Sequence, residues 1–302
     1  MKSRNKNLLI VAHDAGGANI LAAWVVKNFK KYNFLFCLEN PALKIFQDKK
    51  IVFKNIKYKN LNFVWDKIDF ILTGTSYPAD LERLLIAQAK KKKIKSASFI
   101  DHWVNYRKRF LPLGHEGKVQ NFLPDEIWVG DRFALKMALE EGFTRNKLKL
   151  IPNPYFQEVR KIKQNIQNSG KIAQRKKILF LSSIFSENNF NEFDFLEEFL
   201  KILKSSGKKI EITIKLHPSE KIGKYNKLIK KYPELKINQS KSQNLVQEIN
   251  KADLVIGQET MALVVAMLLS KTALNYKPNG LSAIPFRKIK IITSLSKIEK
   301  YL

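Results

Sequence analysis

A chain of 302 residues is long enough for two domains of ordinary size, and its hydrophobic content of 45% excludes a disordered protein. The formal net charge of +28 indicates either a surface that attracts anions or a coding bias toward lysine. Cys37 is the only cysteine, which excludes an internal disulfide and suits a reducing cytoplasm. Because Cys37 lies in an apolar run, we expect a buried core thiol and not a nucleophile.

The pattern of basic residues favours an anionic membrane surface over nucleic acid as a partner. Lysine is spread along the whole chain, whereas nucleic-acid readers usually interleave arginine with aromatic residues in one stretch. Asp14 and two glycines interrupt the first apolar stretch too early for a signal peptide, and the apolar run 261–269 is far shorter than a membrane span. We therefore expect a cytoplasmic protein, either soluble or peripheral on the inner face of the membrane.

In the first half, apolar runs alternate with helical patterns, which is typical of parallel sheets. Gly142 follows the last helical pattern as a C-terminal stop, and Pro152-Asn153-Pro154 ends the half. The predicted strands are 8–12, 33–38, 51–53, 70–72, 97–100, 126–129 and 149–151, and the predicted helices are 18–29, 79–92 and 132–141.

A polar stretch separates this half from a second α/β half. The sequence predicts an N-terminal domain over residues 1–157, a linker with some helix over 158–176 and a C-terminal domain over 177–302. The second half has predicted strands at 177–181, 210–216, 235–237, 254–256, 272–275 and 289–292, with predicted helices at 192–204, 223–231, 243–251 and 260–269. We expect two Rossmann-like domains, the architecture of the GT-B glycosyltransferases, with a cleft between them.

The first candidate site follows the first strand. His13 and Asp14 form a titratable pair, and Gly16-Gly17 predicts a tight turn that lets a ligand reach the next helix N-terminus. Asn19 lies just beyond this turn. The run matches neither a dinucleotide-binding glycine pattern nor a Walker A loop, and an ordinary strand–helix turn with Asp14 as cap is the alternative.

The second candidate site follows the strand predicted at 97–100. Aromatic rings there can stack on sugar rings, polar side chains can bind hydroxyl groups, and arginine can bind an acidic group. The alternative is a partly buried aromatic loop. His115 lies in a later loop and is a weaker candidate. The residues of the second site are Asp101, His102, Trp103, Asn105, Tyr106, Arg107 and Arg109.

The second half carries the sharpest motif, Lys215-Leu216-His217-Pro218-Ser219. Pro218 fixes the backbone after a strand, so that His217 can donate to a phosphate or act on a leaving group. A loop histidine bonded to backbone is the alternative. Two more strand ends carry polar residues suited to a nucleotide, although helix capping alone accounts for the hydroxyl at 260. Ser182 and Ser183 follow the strand predicted at 177–181 and could bind phosphate. Gln258, Glu259 and Thr260 follow the strand predicted at 254–256.

Several kinds of site are missing from the sequence. It has no CxxC, no HExxH, no tight carboxylate cluster, no DxD motif and no nucleophile elbow. We therefore expect no protein-held metal and no cofactor.

The Lys-Leu-His-Pro run, late on a strand of the second half, resembles bacterial surface-polysaccharide transferases of GT-B type. These include the CDP-glycerol glycerophosphotransferases and the bacterial sialyl- and polysialyltransferases. The resemblance implies that His217 and Pro218 contact the phosphate of a cytidine nucleotide. It places Thr260 at the later hydroxyl position, where this chain has Gln-Glu-Thr and not Ser-Ser. Glu259-Thr260 before an apolar helix is also similar to UDP-N-acetylglucosamine 2-epimerases.

The main hypothesis is a metal-independent glycosyltransferase that uses a nucleotide-sugar donor and a glycan or lipid-linked acceptor in surface polysaccharide or lipopolysaccharide synthesis. The expected base is Asp14 or His13, and next Asp101 or His102. The donor is expected at the C-terminal domain, and the acceptor at Gly16, Gly17, Asn19 and the aromatic loop. Two alternatives are a nucleotide-sugar 2-epimerase or hydrolase of the same fold and a basic adaptor for nucleic acid or membrane.

Overall fold

A computed structural model describes residues 5–77, 79–111, 122–164, 175–183, 191–218, 220–242 and 244–302. The chain divides into two compact units, Met1–Glu158 and Val159–Leu302. The predicted positions His115 and Ser219 lie outside the described residues.

The N-terminal unit is built on a parallel sheet of six strands in the order β2-β1-β3-β4-β5-β6. The strands are β1 Asn7–Ala12, β2 Asn33–Leu38, β3 Phe70–Thr73, β4 Lys95–Ile100, β5 Glu126–Val129 and β6 Leu148–Leu150. The helices are α1 Ala15–Asn28, α2 Ala42–Asp48, α3 Leu81–Lys91, α4 Arg132–Glu140 and α5 Pro154–Gln164, the last of which crosses the unit boundary.

The apolar sequence of β1 follows from its place in this sheet. Residues 8–12 are all buried because helices cover both faces of a parallel sheet. Leu9 and Val11 pack with Leu85 of α3 on one face. Cys37 lies in the same cluster and is almost fully buried, which confirms the expected core thiol.

The C-terminal unit repeats the plan with a parallel sheet in the order β12-β11-β10-β7-β8-β9. Its main core joins the buried side chains of β7, β8 and β10 to α6. The strands are β7 Lys176–Leu181, β8 Ile210–Lys215, β9 Lys236–Gln239, β10 Leu254–Gly257, β11 Thr272–Tyr276 and β12 Lys290–Ile292, and the helices are α6 Glu192–Ser205, α7 Asn226–Ile229, α8 Leu245–Lys251 and α9 Met261–Leu268.

The two Rossmann-like α/β folds confirm the predicted fold class, and three local predictions need correction. Residues 51–53 form no strand, and the segment only makes an isolated bridge between Phe36 and Asn55. Helix α2 was not predicted. Helix α1 begins at Ala15, so Gly16-Gly17 lies inside its first turn and makes no separate turn.

Residues 158–164, at the start of the predicted linker, are helical. Helix α5 has an apolar side because Tyr155, Phe156 and Val159 are buried. The Asn153 side chain caps the start of α5 by accepting a hydrogen bond from the Phe156 amide at 3.2 Å. In the described part of the chain, no helix has the length and apolar character needed to cross a membrane.

Candidate functional site

Each sheet has a point where the strand order reverses, and ligands of open α/β sheets bind beyond the carboxyl ends of the strands there. In the N-terminal unit this point lies between β1 and β3, and His13-Asp14 follows β1 directly. In the C-terminal unit it lies between β7 and β10, followed by Ser182 and Gln258. The predicted polar residues therefore gather at the expected edge of each sheet.

His13 and Asp14 form a bonded pair at the end of β1. His13 Nδ1 lies 2.8 Å from Asp14 Oδ1, and about a quarter of each side chain is exposed. The hydrogen bond with Asp14 raises the pKa of His13 above its ordinary value, although burial opposes that shift. The Asp14 side chain does not cap α1, so its carboxylate is directed to the imidazole and not to the helix.

Glu82 supports this pair from α3, and no motif in the sequence points to it. Its Oε1 accepts the backbone N–H of His13 at 2.8 Å. The residue is only 2% exposed, and its Oε2 has no hydrogen-bond partner in the described part of the chain. Burial raises the pKa of Glu82 to about 7. A single glutamate in a helical pattern resembles a surface residue, so only the long-range contact reveals it.

The two glycines at the start of α1 permit two close approaches. A Cβ at Gly16 would lie 1.8 Å from Asp101 Oδ2, and a Cβ at Gly17 would lie 3.0 Å from the Cα of Gly74. A carboxylate of the protein therefore lies against the first turn of α1, where the sequence predicted access for a ligand. Asn19 donates to the Ala15 carbonyl at 2.9 Å within the helix.

Asp101, at the end of β4, forms a nearly buried ion pair with Arg109. The distance between Arg109 Nη1 and Asp101 Oδ1 is 2.6 Å, and Arg109 also donates to Thr75 Oγ1 at 3.0 Å. The sequence predicted Arg109 as a group for binding an acidic acceptor. In the structure its charge is already matched by Asp101.

The aromatic loop after β4 is mostly part of the core. Trp103 and Tyr106 are 2% and 1% exposed, so their rings present no face on which a sugar could stack. His102 and Asn105 are half-buried, and Asn105 has a φ of 59°, a left-handed conformation that asparagine tolerates well. The loop thus leaves His102 and Asn105 partly accessible and Arg107 exposed, with Arg107 Nη1 donating to the Glu141 carbonyl at 3.0 Å.

At the end of β7, Ser182 belongs to a buried network of charges. Its Oγ lies 2.5 Å from Glu192 Oε1, 2.6 Å from Glu220 Oε2 and 2.8 Å from the Tyr225 hydroxyl. Lys224 forms ion pairs with both carboxylates. Burial acts to raise the pKa of Glu192, but hydrogen bonds from Lys224, Ser182 and Tyr225 outweigh it and hold that pKa below its ordinary value.

This network, defined as Ser182, Glu192, Glu220, Lys224 and Tyr225, also holds the two neighbouring loops. The Ser183 amide donates to Glu192 Oε1 at 3.0 Å. The His217 amide donates to Glu220 Oε2 at 2.7 Å. The backbone of the His217-Pro218 turn is therefore fixed by a carboxylate, while the His217 side chain is half-buried and Pro218 is exposed.

The loop after β10 is fixed by the protein itself. Glu259 Oε1 accepts from Asn275 Nδ2 at 2.5 Å, and its Oε2 accepts from the Ala283 amide at 2.9 Å. Thr260 caps α9 by accepting from the Ala262 amide at 3.3 Å. Both side chains therefore stabilise the loop and the helix start through hydrogen bonds within the protein. Gln258, the preceding residue, is half-buried. No group of three or more metal-ligating His, Cys, Asp or Glu side chains occurs among the described residues.

A model of one protein family, described as alpha-2,8-polysialyltransferase (POLYST), matches residues 30–257 of the chain. This match spans about three quarters of the sequence. The chain belongs to the alpha-2,8-polysialyltransferase family. The expectation of a GT-B glycosyltransferase that takes part in polysaccharide synthesis is thereby confirmed. No curated protein matches this polysialyltransferase-family chain in sequence.

Solved structures with the same fold include enzymes of more than one activity. The UDP-GlcNAc 2-epimerase of Methanocaldococcus jannaschii, in complex with UDP-GlcNAc and UDP, has a TM-score of 0.70 at 14% identity, over 97% of this chain and 91% of the epimerase. The Neisseria meningitidis UDP-GlcNAc 2-epimerase has a TM-score of 0.65 at 13% identity, over 98% and 90%. The wall teichoic acid polymerase TagF has a TM-score of 0.57 at 13% identity, over 98% and 79%. These likenesses show the fold that the family member shares with them.

Proposed function

We propose that this polysialyltransferase-family enzyme transfers a sugar from a nucleotide-activated donor to a surface polysaccharide or lipopolysaccharide without a protein-held metal. The donor binds the C-terminal unit and the acceptor binds the N-terminal unit. The main support is the convergence of the loops after β7, β8 and β10 at the switch point of the C-terminal sheet. The Methanocaldococcus jannaschii and Neisseria meningitidis epimerases, which share this fold, bind UDP-GlcNAc in their structures, which favours a nucleotide-sugar donor.

In the proposed reaction, the oxygen of an acceptor hydroxyl forms a bond to the anomeric carbon of the donor sugar. The bond from that carbon to the phosphate oxygen breaks, and the nucleotide leaves with the bonding electrons. The His217 side chain stabilises the developing negative charge by hydrogen bonding. The amide groups at the start of α9 add a favourable dipole.

The His13-Asp14 pair is the proposed base that takes the proton from the acceptor hydroxyl. Both side chains are partly exposed at the switch point of the N-terminal sheet. Asp101 is less suited because Arg109 and the first turn of α1 enclose it. Asp14→Asn and His13→Ala are each expected to lower transfer while donor binding is kept. Full activity in both variants would remove the pair from the mechanism and make His102 the next candidate.

The donor class can be tested by thermal unfolding in the presence of CMP, CDP, UDP and GDP compounds. A ligand that binds the native state raises the apparent stability, so the correct nucleotide is expected to give the largest increase in Tm. His217→Ala is the matched control, since loss of the proposed phosphate contact lowers that increase. The absence of any nucleotide-dependent increase would contradict the proposal.

A second candidate function is nucleotide-sugar 2-epimerisation or hydrolysis, favoured by the fold shared with UDP-GlcNAc 2-epimerases over nearly the whole chain. The two candidates differ in their need for an acceptor. With a nucleotide-sugar alone, an epimerase or hydrolase forms an isomerised or free sugar. A transferase forms product only when glycan is added. Analysis of both mixtures by chromatography distinguishes them.

A further inference from the structure

An aromatic and basic surface lies at the amino edge of the N-terminal sheet, at the opposite end of β1 from His13-Asp14. Helix α1 runs back along the sheet, so its last turn lies near the start of β2. Val26 and Phe29 are each 58% exposed there, which is unusual for large apolar side chains that lie one turn apart.

The exposed Phe29 continues a cluster of aromatic rings. Phe29 and Phe34 stack with ring centroids 6.3 Å apart, Trp24 stacks on Tyr32 at 5.8 Å, and Trp24 also lies 5.8 Å from Trp128 of β5. Trp24, Tyr32, Phe34 and Trp128 are only partly buried. Tryptophan and tyrosine with one apolar and one wet side are typical of the interface between lipid and water.

Three lysines lie on the same segment as the exposed apolar side chains. Lys27, Lys30 and Lys31 are exposed beside Val26 and Phe29. Glu126 accepts a hydrogen bond from Trp128 Nε1 at 2.8 Å and is the acidic neighbour of that ring.

We propose that this surface, formed by Trp24, Val26, Phe29, Tyr32 and the three lysines, attaches the enzyme to an anionic lipid bilayer. Exposed apolar side chains enter the headgroup region, and the three lysines pair with lipid phosphates. Val26, Phe29 and the three lysines lie at the end of α1 and before β2, at the far end of β1 from His13 and Asp14, so their attachment leaves that pair uncovered. The attachment does not depend on the proposed transfer chemistry.

The charge contribution is tested with the triple variant Lys27→Gln/Lys30→Gln/Lys31→Gln. The matched control is Lys201→Gln/Lys208→Gln/Lys209→Gln, which removes the same charge from exposed positions of the other unit. Binding is measured by co-sedimentation with two kinds of vesicle. One is phosphatidylcholine alone, and the other is phosphatidylcholine with about 30% phosphatidylserine. Each lysine near an anionic surface contributes a factor of about five in affinity, so the triple variant is expected to bind on the order of 100-fold more weakly at low salt.

The apolar contribution is tested with Val26→Ser/Phe29→Ser. The control is Ile222→Ser/Leu281→Ser, because those side chains are 95% and 74% exposed elsewhere. The first pair is expected to weaken vesicle binding and the control pair to leave it unchanged, with circular dichroism confirming that all variants are folded. Equal binding of the wild-type protein to neutral and anionic vesicles, or equal losses in variant and control, would overturn the proposal.

A further outcome would also overturn it. If the wild-type protein self-associates in analytical ultracentrifugation and Val26→Ser/Phe29→Ser abolishes that association, a second copy covers the surface and lipid does not. Transfer to a water-soluble acceptor, measured without vesicles, is expected to be unchanged in every variant. This readout separates failure of the membrane proposal from failure of the proposed reaction.

Discussion

The buried carboxylate of Glu82 makes the stability of the fold depend on pH. The residue is held against the backbone of His13, and burial raises its pKa to about 7. The folded protein therefore binds a proton at Glu82 between its ordinary value of 4.5 and about 7, whereas the unfolded chain has released it. Glu82 consequently lowers the stability of the fold as the pH rises through this window.

Glu82→Gln is therefore expected to stabilise the protein at neutral and alkaline pH. Glutamine keeps an oxygen that accepts the His13 N–H, but it cannot ionise. The gain in free energy of unfolding is expected to be on the order of 2 kcal/mol above about pH 8 and to disappear below the ordinary glutamate pKa. Urea unfolding across this pH range measures it, with the exposed Glu140→Gln as control. A gain that is independent of pH would show that Glu82 does not titrate as described.

His217 is expected to act on the donor through its side chain alone. Its backbone N–H already holds the turn by donating to Glu220. His217→Ala keeps that bond, so the fold and Tm are expected to stay near those of the wild type. Turnover is expected to fall by about two orders of magnitude, the usual effect of losing one charge-stabilising donor. Near-normal turnover, measured as nucleotide release with acceptor present, would exclude His217 from the reaction.

At the scale of the elements, the apolar runs predicted the sheets well. The predicted ranges 33–38 and 126–129 coincide with β2 and β5, because Glu39 ends the first run and Gly130 ends the second. The strand predicted at 51–53 does not form, because an apolar run becomes a strand only when it pairs with a neighbouring strand. Here only one isolated bridge forms nearby, between Phe36 and Asn55. Helix α5 was assigned in part to a linker because its many basic residues conceal a short buried side.

The strand ends of the candidate sites were predictable, but their contacts were not. Parallel strands all point the same way, so polar residues after β1, β4, β7, β8 and β10 had to gather at one edge of each sheet. The pairing of Asp101 with Arg109 and the contact of Glu82 with His13 depend on side-chain packing between distant segments. No sequence period encodes such contacts. The proposed donor and acceptor roles stay predictions.

The buried network around Ser182 is expected to stabilise the β7 and β8 loops only while its charges remain paired. Lys224→Met leaves the carboxylates of Glu192 and Glu220 without their cation, and breaking a buried ion pair in this way costs about 3–5 kcal/mol. The double variant Glu192→Gln/Lys224→Met removes one of the two carboxylates and is expected to recover part of that loss. Urea unfolding of the wild type, of Lys224→Met and Glu192→Gln alone, and of the double variant gives the coupling free energy.

The pH dependence of this loss has a definite sign. The folded-state pKa of Glu192 lies below its ordinary value, so its contribution to stability is present above the ordinary value and is lost as the pH falls through the folded value. The difference in free energy of unfolding between the wild type and Lys224→Met is thus expected to become smaller at acid pH. Lys204→Met, which breaks the exposed pair with Glu234, is the control and is expected to show no comparable loss. If Lys224→Met lost no more free energy of unfolding than Lys204→Met, the result would contradict a buried network.

At the scale of the whole molecule, each unit has its own sheet and its own buried apolar core. A segment with residues 159–302 alone is therefore expected to fold cooperatively, because its main core is formed entirely within that range. It is also expected to keep the thermal response to the correct nucleotide, since the proposed donor residues all belong to it. A folded segment without that response would move part of the donor site to the other unit.

The contact between Gly16 and the Asp101 carboxylate limits the order in which the two positions can change during evolution. Any side chain at residue 16 would collide with that carboxylate, so residue 101 must first become smaller or turn away. Asp101 can in turn be replaced only when Arg109, its buried ionic partner, changes with it. Three positions far apart in the sequence are thus expected to be inherited as one block, and lineages that have exchanged only one of them should be rare.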